Sequence, residues 1–153
     1  MARRLPRAVY LTMGEIVVNH RFTRFHRWLI RRTGGRVPGA GVLGLEIIMI
    51  TTRGRRTGAP RTVPLGAIRD GGAWLVVASN AGHDEMPAWA LNTRADPTVT
   101  VEHRGGARPY RAHEALGDEL ARLWPMVIDA YPGYADYQRR TRRTIPLFVL
   151  EPA

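Results

Sequence analysis

The chain has 153 residues, 23 basic residues that are all arginine, 13 acidic residues, a formal net charge of +10 and no cysteine. That length suits one domain with a sizeable core. The absence of cysteine excludes disulfides, thiolate nucleophiles and cysteine-ligated metals, and fits a reducing cytosol.

The charge is unevenly spread. Residues 1–36 carry nine arginines against Glu15 alone, a net of +8; residues 37–153 carry fourteen arginines against twelve acids, a net of +2. The start, MARRLPRAVYLTMGEIVVNH, has a basic front but no adequate apolar run and no cleavage site, so it does not read as a signal peptide. No stretch approaches the roughly 18 apolar residues of a membrane span.

Residues 14–32 read as a helix. Val18, Phe22, Phe25 and Leu29 recur at helical spacing, with Trp28 and Ile30 beside them and Arg21, Arg24, Arg27, Arg31 and Arg32 over much of the remainder. TGGRVPGAG, residues 33–41, is a linker by its glycines and proline. The chain thus divides into a basic amphipathic segment, 1–36, and a domain over 37–153.

From residue 42 the pattern turns to strands. VLGLEIIMITT (42–52) is the first, RTVPLGAIR (61–69) the second and AWLVVAS (73–79) the third. Pro64 marks the second as an edge or a bulge. Asp70-Gly71-Gly72 is a hairpin turn. NAGHDE (80–85) is a loop, and MPAWALNTRA (86–95) a short helix with Pro87 near its start. TVTVEHR and ARPYRAHEA form another hairpin about Gly105-Gly106. Residues 117–130 are helical by Leu120, Leu123, Trp124, Val127 and Ile128. Pro132-Gly133 is a break, and IPLFVLE (145–151) is the last strand. Six strands joined mostly by short turns pair antiparallel, and with so few helices they make a mainly β, α+β domain closed into a small barrel.

The inventory of chemistry is short. The single serine, Ser79, is in no nucleophile elbow, and no zinc-hydrolase or CxxC pattern occurs. His83, Asp84 and Glu85 are adjacent on one loop, which rarely aims side chains at one ion, so no metal site is expected. The informative stretch is TTRGRRTGAPR, residues 51–61. Arg53, Arg55, Arg56 and Arg61 offer forked donors for phosphate or carboxylate, and Gly54 and Gly58 let backbone amides approach an anion. A solvated basic hairpin explains the same residues. The anion reading gains from Arg61 at a strand start and from the small turn Ser79-Asn80-Ala81-Gly82, since those two strand ends can meet around one phosphate. Tyr131, Tyr134 and Tyr137, spaced by three, share one face if helical. They form either a packed stripe or a wall over a flat conjugated ligand, and Trp89 poses the same choice.

TTRGRRTGAPRTVPL, RDGGAWLVVASNAG, PAWALNTRADPTVTV and AYPGYADYQRRTRRTIPLFVLEP, in that order, resemble the deazaflavin-dependent nitroreductase family of actinobacteria over residues 42–152. The resemblance implies a six-stranded split β-barrel, like that of flavin-mononucleotide oxidases, binding coenzyme F420, a deazaflavin with a phosphate and an oligoglutamate tail. It implies an oxidoreductase that passes hydride from the reduced deazaflavin to quinones, nitroaromatics or other electrophiles. Carried over residue by residue, the resemblance places Thr52, Arg55, Arg56, Thr57 and Arg61 on the cofactor's phosphate and acidic tail. It places Ala78, Ser79, Asn80, Ala81 and Gly82 near phosphate and deazaflavin, with Pro87 and Trp89 of the PxW motif beside them. It assigns Tyr131, Tyr134 and Tyr137 to the acceptor pocket, with Tyr134 closest to the ring system.

Three positions depart from the family pattern. Arg56 stands where a lysine is usual, which keeps the charge but makes it a fork. Gly66 and Ala90 stand where tyrosines are common, an expected loss of aromatic bulk at the pocket's border.

The expected mechanism needs no nucleophile and no metal. Tyr134 orients the acceptor, and a tyrosine hydroxyl or solvent supplies any proton. For residues 14–32 two readings stay open: a helix on anionic lipid at the inner face of the membrane, or one packed on the barrel or a partner subunit. A cytoplasmic homodimer fits either. The neighbouring alternative is the same barrel holding flavin mononucleotide, heme or a fatty acid. A nucleic-acid module is disfavoured, because the basic excess sits on a segment with a long apolar stripe and no nucleic-acid motif is present.

Overall fold

The structure is a computed structural model, and it describes residues 45–153 together with Trp28 and Arg32. Apart from those two, the predicted helix 14–32 lies outside the described residues. The Arg32 guanidinium lies 5.3 Å from the centroid of the exposed Trp28 ring.

The order of elements is β1 (Glu46–Arg53), β2 (Pro60–Asp70), β3 (Ala73–Val77), a 3-10 turn (Asn80–Gly82), α1 (Ala88–Ala95), β4 (Thr98–His103), β5 (Gly106–Glu114), α2 (Gly117–Ala130), α3 (Gly133–Arg140) and β6 (Leu147–Pro152). All strand pairs are antiparallel, and the strands close into a barrel in the order β1-β2-β3-β6-β5-β4. The predicted six-stranded barrel is therefore the observed fold.

Alternation along each strand separates two cores. Ile48, Ile50, Ala67, Trp74, Val76, Val99, Val101, Tyr110, Ala112, Phe148 and Leu150 fill the barrel. Leu75, Val77, Leu147 and Val149 point the other way, into a second cluster with Leu123 and Val127 of α2 and with the tyrosines near α3. β3 and β6 are thus buried on both faces. That is why AWLVV and LFVL read as unbroken apolar runs rather than alternating ones.

Most boundaries shift by only a residue or two. The third strand stops at Val77, so Ala78 and Ser79 belong to the turn that follows. The short helix begins at Ala88, with Pro87 capping it in extended conformation. β2 pairs with β3 only over Ala67–Asp70, so residues 60–66 pair with β1 alone. Pro64 lies in this one-sided stretch, the edge-like setting a proline needs. The β4–β5 hairpin turns on Arg104 and Gly105, both left-handed, with φ of 49° and 82°.

Candidate functional site

Antiparallel pairing decides which loops share an end of the barrel. The end of β1, the start of β2, the end of β3 and the start of β6 lie at one end of the barrel. The arginine loop, the Ala78–Gly82 turn, α1 and the 141–146 segment all enter or leave there. The opposite end is closed by Trp74, with the Arg69 guanidinium 3.6 Å from its ring centroid and His103, itself 2.8 Å from a Glu46 oxygen, against its edge.

The arginine loop is short and internally bonded. Gly54 N–H donates to Ala59 O at 2.8 Å, and Gly58 N–H donates to Gly54 O at 2.7 Å. The loop is tied to α1 by a buried amide. Asn92 Oδ1 accepts from both the backbone N–H and the guanidinium Nη1 of Arg55, each at 3.2 Å, while Asn92 Nδ2 donates to Thr52 Oγ1 at 3.1 Å. Thr52 is therefore buried behind the loop, where it also donates to Arg61 O at 3.5 Å. Arg55, Arg56, Thr57 and Arg61 are exposed. Among the described residues none of the three arginines pairs with a carboxylate. A cluster of exposed guanidinium groups without acidic partners suits a polyanion.

The turn after β3 has an unusual backbone. Ser79 is right-handed helical (φ −73°, ψ −33°), and Asn80, Ala81 and Gly82 follow with φ of 45°, 52° and 81°. A right-handed residue followed by left-handed ones turns successive amides toward one point and makes a concavity for anions. Among the described residues the N–H groups of Ser79, Asn80 and Ala81 make no hydrogen bond. Asn80 Nδ2 donates to Glu85 O at 2.9 Å, which closes the loop behind the turn.

Gly82 packs directly on α3: a Cβ there would lie 2.9 Å from Tyr137 O and 3.1 Å from Tyr137 Cα. The turn and the tyrosines are thereby brought together. The three tyrosines do not share a helix, since Tyr131 caps the end of α2 in extended conformation and α3 begins at Gly133. Their rings still converge. Tyr131 and Tyr134 meet edge-on at 5.0 Å, and Tyr137 lies 6.2 Å from each. Gly133 permits this, because a Cβ there would lie 2.5 Å from the Tyr131 ring. All three are buried, beside Ala81, and the Tyr131 and Tyr137 hydroxyls are 3.2 Å apart. Burial, followed by the neighbouring Tyr137, pushes the Tyr134 phenol well above its ordinary pKa. At neutral pH it stays a neutral hydrogen-bond donor.

Trp89 plugs the site end of the barrel, meeting Phe148 at 5.4 Å. Ala90 beside it is fully buried. Gly66 is occupied differently from the expectation: a Cβ there would lie 2.8 Å from Leu45 Cδ1. The missing side chain at 66 makes room for Leu45, which packs against the outer cluster. Asp84 accepts from Thr141 Oγ1 at 2.6 Å and from Arg142 N–H at 3.2 Å. Among the described residues no group of three His, Asp or Glu side chains is placed to hold a metal.

Two residues escaped the sequence reading. Asn92 carries one sign, a polar residue three after Trp89 on the helix face that is buried here. Arg143 carries none, being one of four arginines within residues 139–143.

The F420H(2)-dependent quinone reductase family matches residues 22–152. The chain is 37% identical over 137 residues to the F420H(2)-dependent quinone reductase Rv1261c of Mycobacterium tuberculosis (strain ATCC 25618 / H37Rv), covering 83% of this chain and 87% of that one. A solved F420-H2 dependent reductase (FDR-A) superposes with a TM-score of 0.63 at 39% identity, over 69% of this chain and 93% of the other. A second solved structure, described as a domain-swapped dimer, gives a TM-score of 0.65 at 36% identity, over 82% and 98%.

Proposed function

Since the chain belongs to the F420H(2)-dependent quinone reductase family, we propose that it is an oxidoreductase passing hydride from reduced coenzyme F420 to a quinone. The observation that carries the reading is the placement, at the same barrel end, of the arginine loop and the amides of the Ser79–Ala81 turn. Forked cations together with backbone amides suit one phosphate followed by a run of carboxylates.

In this reading Arg55, Arg56 and Arg61 hold the acidic tail, with Thr52 and Thr57 shaping their loop. Ala78, Ser79, Asn80, Ala81 and Gly82 cradle the phosphate and the near edge of the deazaflavin, and Pro87 and Trp89 close the barrel beneath it. When bound, the reduced deazaflavin supplies the hydride, and a quinone that takes it becomes a hydroquinone with one further proton. The protein's own contribution is placement, holding donor and acceptor near contact distance and keeping water out. Tyr134 serves as a neutral donor that orients the acceptor oxygen. Its raised pKa makes it a poor acid, so solvent is the better source of the proton.

Nitroaromatics are accepted in the same place as secondary electrophiles. The N-terminal segment, with its net +8 and its apolar stripe, meets the quinone's own environment by lying on anionic lipid. Liposome flotation with and without residues 1–36 tests that part, and equal flotation removes it. A homodimer is proposed from the similarity to a domain-swapped dimer.

The cofactor assignment is tested by titrating the protein into oxidised F420 and following fluorescence, with flavin mononucleotide in parallel. Saturable quenching of the deazaflavin alone is expected. Binding of flavin mononucleotide alone would move the protein to the neighbouring barrel families.

A further inference from the structure

The segment between α3 and β6 returns to the site and grips it from behind. Arg143 Nη2 donates to Ala78 O at 3.0 Å and to Ser79 O at 2.9 Å, and its Nε donates to His83 O at 3.1 Å. One half-buried guanidinium thus gathers the carbonyls on both flanks of the Asn80–Gly82 turn. Its backbone is fixed in turn: Gln138 Nε2 of α3 donates to Arg143 O at 2.8 Å, and Gln138 Oε1 accepts from Ile145 N–H at 2.9 Å. The contacts of Thr141 and Arg142 to Asp84 pin the same two segments one step further along.

Direction matters more than number. Among the described residues every peptide bond is trans, so each carbonyl points opposite to the N–H of the same peptide unit. The Ala78 carbonyl belongs to the unit that carries the Ser79 N–H, and the Ser79 carbonyl to the unit that carries the Asn80 N–H. With both carbonyls drawn to Arg143, both N–H groups face away from it, on the open side of the turn. The positive charge also polarises those two units and strengthens their N–H groups as donors. Asn80 holds a left-handed conformation that asparagine tolerates, and Ala81 holds one that is unfavourable to a residue with a Cβ. Such a backbone persists only where its surroundings over-determine it. The Arg143 fork is one such constraint, beside the bonds from Gly82 N–H to Ser79 O and from His83 N–H to Asn80 O.

We propose that Arg143 is the positioning residue for anion capture: by holding the Ala78 and Ser79 carbonyls on one side, it presets the Ser79 and Asn80 amides as paired donors to a phosphate on the other. The identity of that phosphate rests on the F420 reading; the constraint on the turn does not. Lysine is a poor substitute, since a single ammonium lacks the planar fork that spans carbonyls on both sides of a turn.

The test uses the full chain labelled with nitrogen-15, as wild type, Arg143→Gln and Arg143→Lys. Without ligand, the Ser79 and Asn80 amide resonances of Arg143→Gln should move and their heteronuclear NOE should fall, while Gly105 in the remote hairpin stays in place. In F420 titrations, affinity should drop about tenfold or more in Arg143→Gln, the scale of one lost charge-assisted contact, with kcat at saturating F420H2 within about twofold. Arg143→Lys should regain most of the melting temperature but less than half of the lost affinity. Unmoved Ser79 and Asn80 amides, or an affinity loss that follows melting temperature in both variants, would overturn the proposal. Should wild type fail to bind F420, the cofactor reading falls, and the amide response alone decides the role of Arg143. Should Arg143→Gln fail to fold, Arg143→Lys carries the same two readouts.

Discussion

Asn92 holds Arg55 twice, accepting from its backbone amide and from its guanidinium at 3.2 Å each, while the other end of the same side-chain amide reaches Thr52. A buried asparagine on α1 therefore fixes the shape of a loop 37 residues earlier in the chain. Asn92→Ala leaves a buried threonine hydroxyl and a backbone amide short of partners, at a cost of about 1–3 kcal/mol. Denaturant melts should show that loss, and F420 titration should show weakened binding even under conditions where the variant is fully folded.

Arg61 is exposed at the start of β2 and has no acidic partner among the described residues. Arg61→Ala should leave stability within about 0.5 kcal/mol, as for most surface changes. It should weaken F420 binding by roughly ten- to a hundredfold, the range of a charge-assisted contact. Added salt should weaken wild-type binding more steeply than that of the variant, because screening acts on a charge the variant lacks.

Tyr134→Phe removes a hydroxyl from a packed cluster and leaves the ring in place. Turnover with a quinone should fall about ten- to a hundredfold, while affinity for F420 stays within about twofold. A matching fall in cofactor affinity would place Tyr134 on the cofactor rather than on the acceptor.

Gly82 and Gly105 have nearly the same φ, 81° and 82°, but different surroundings. A Cβ at 105 meets nothing within 4 Å, whereas one at 82 meets the backbone of Tyr137 at 2.9 Å. Gly105→Ala should cost about 1–2 kcal/mol, the penalty of the left-handed region alone. Gly82→Ala should cost about 1–3 kcal/mol more, the range for overpacking against something that cannot yield. The difference between two urea melts isolates the contact between turn and α3.

Asp84 is held below the usual aspartate pKa of 3.8, first by the Thr141 hydroxyl and then by the Arg142 amide. A depressed folded-state pKa means that the carboxylate stabilises the fold above its unfolded pKa and loses that effect as pH falls through the folded value. Asp84→Asn should melt below wild type at about pH 7, and the gap should shrink steadily below about pH 4. A constant gap across that range would show that charge is irrelevant at this position.

The barrel was legible because period-two patterning and short turns are local signals. Gly117–Ala130 is observed as a helix with the predicted bounds, because its apolar face repeats cleanly. The tyrosines illustrate the limit. Spacing by three gave one shared face only if all three lay on one helix, and the break expected at Pro132-Gly133 does separate Tyr131 from the other two. That the rings converge all the same is a matter of tertiary packing. Gly66 shows a second limit. Its departure from the family pattern read as space beside a pocket, whereas a neighbour in the fold, Leu45, fills it. Asn92 and Arg143 act across 37 and 64 residues respectively, and no local pattern encodes such pairings. The arginine loop announced itself by composition, and the two residues that tie down that loop and the turn after β3 did not.

The most direct test is anaerobic oxidation of F420H2 by a soluble quinone such as menadione, followed by the return of deazaflavin absorbance. Saturable oxidation dependent on both protein and quinone, diminished in Arg61→Ala through KM and in Tyr134→Phe through kcat, is the predicted result. Oxidation no faster than without protein, at concentrations where F420 is shown to bind, would contradict the assignment of this chain as a quinone reductase.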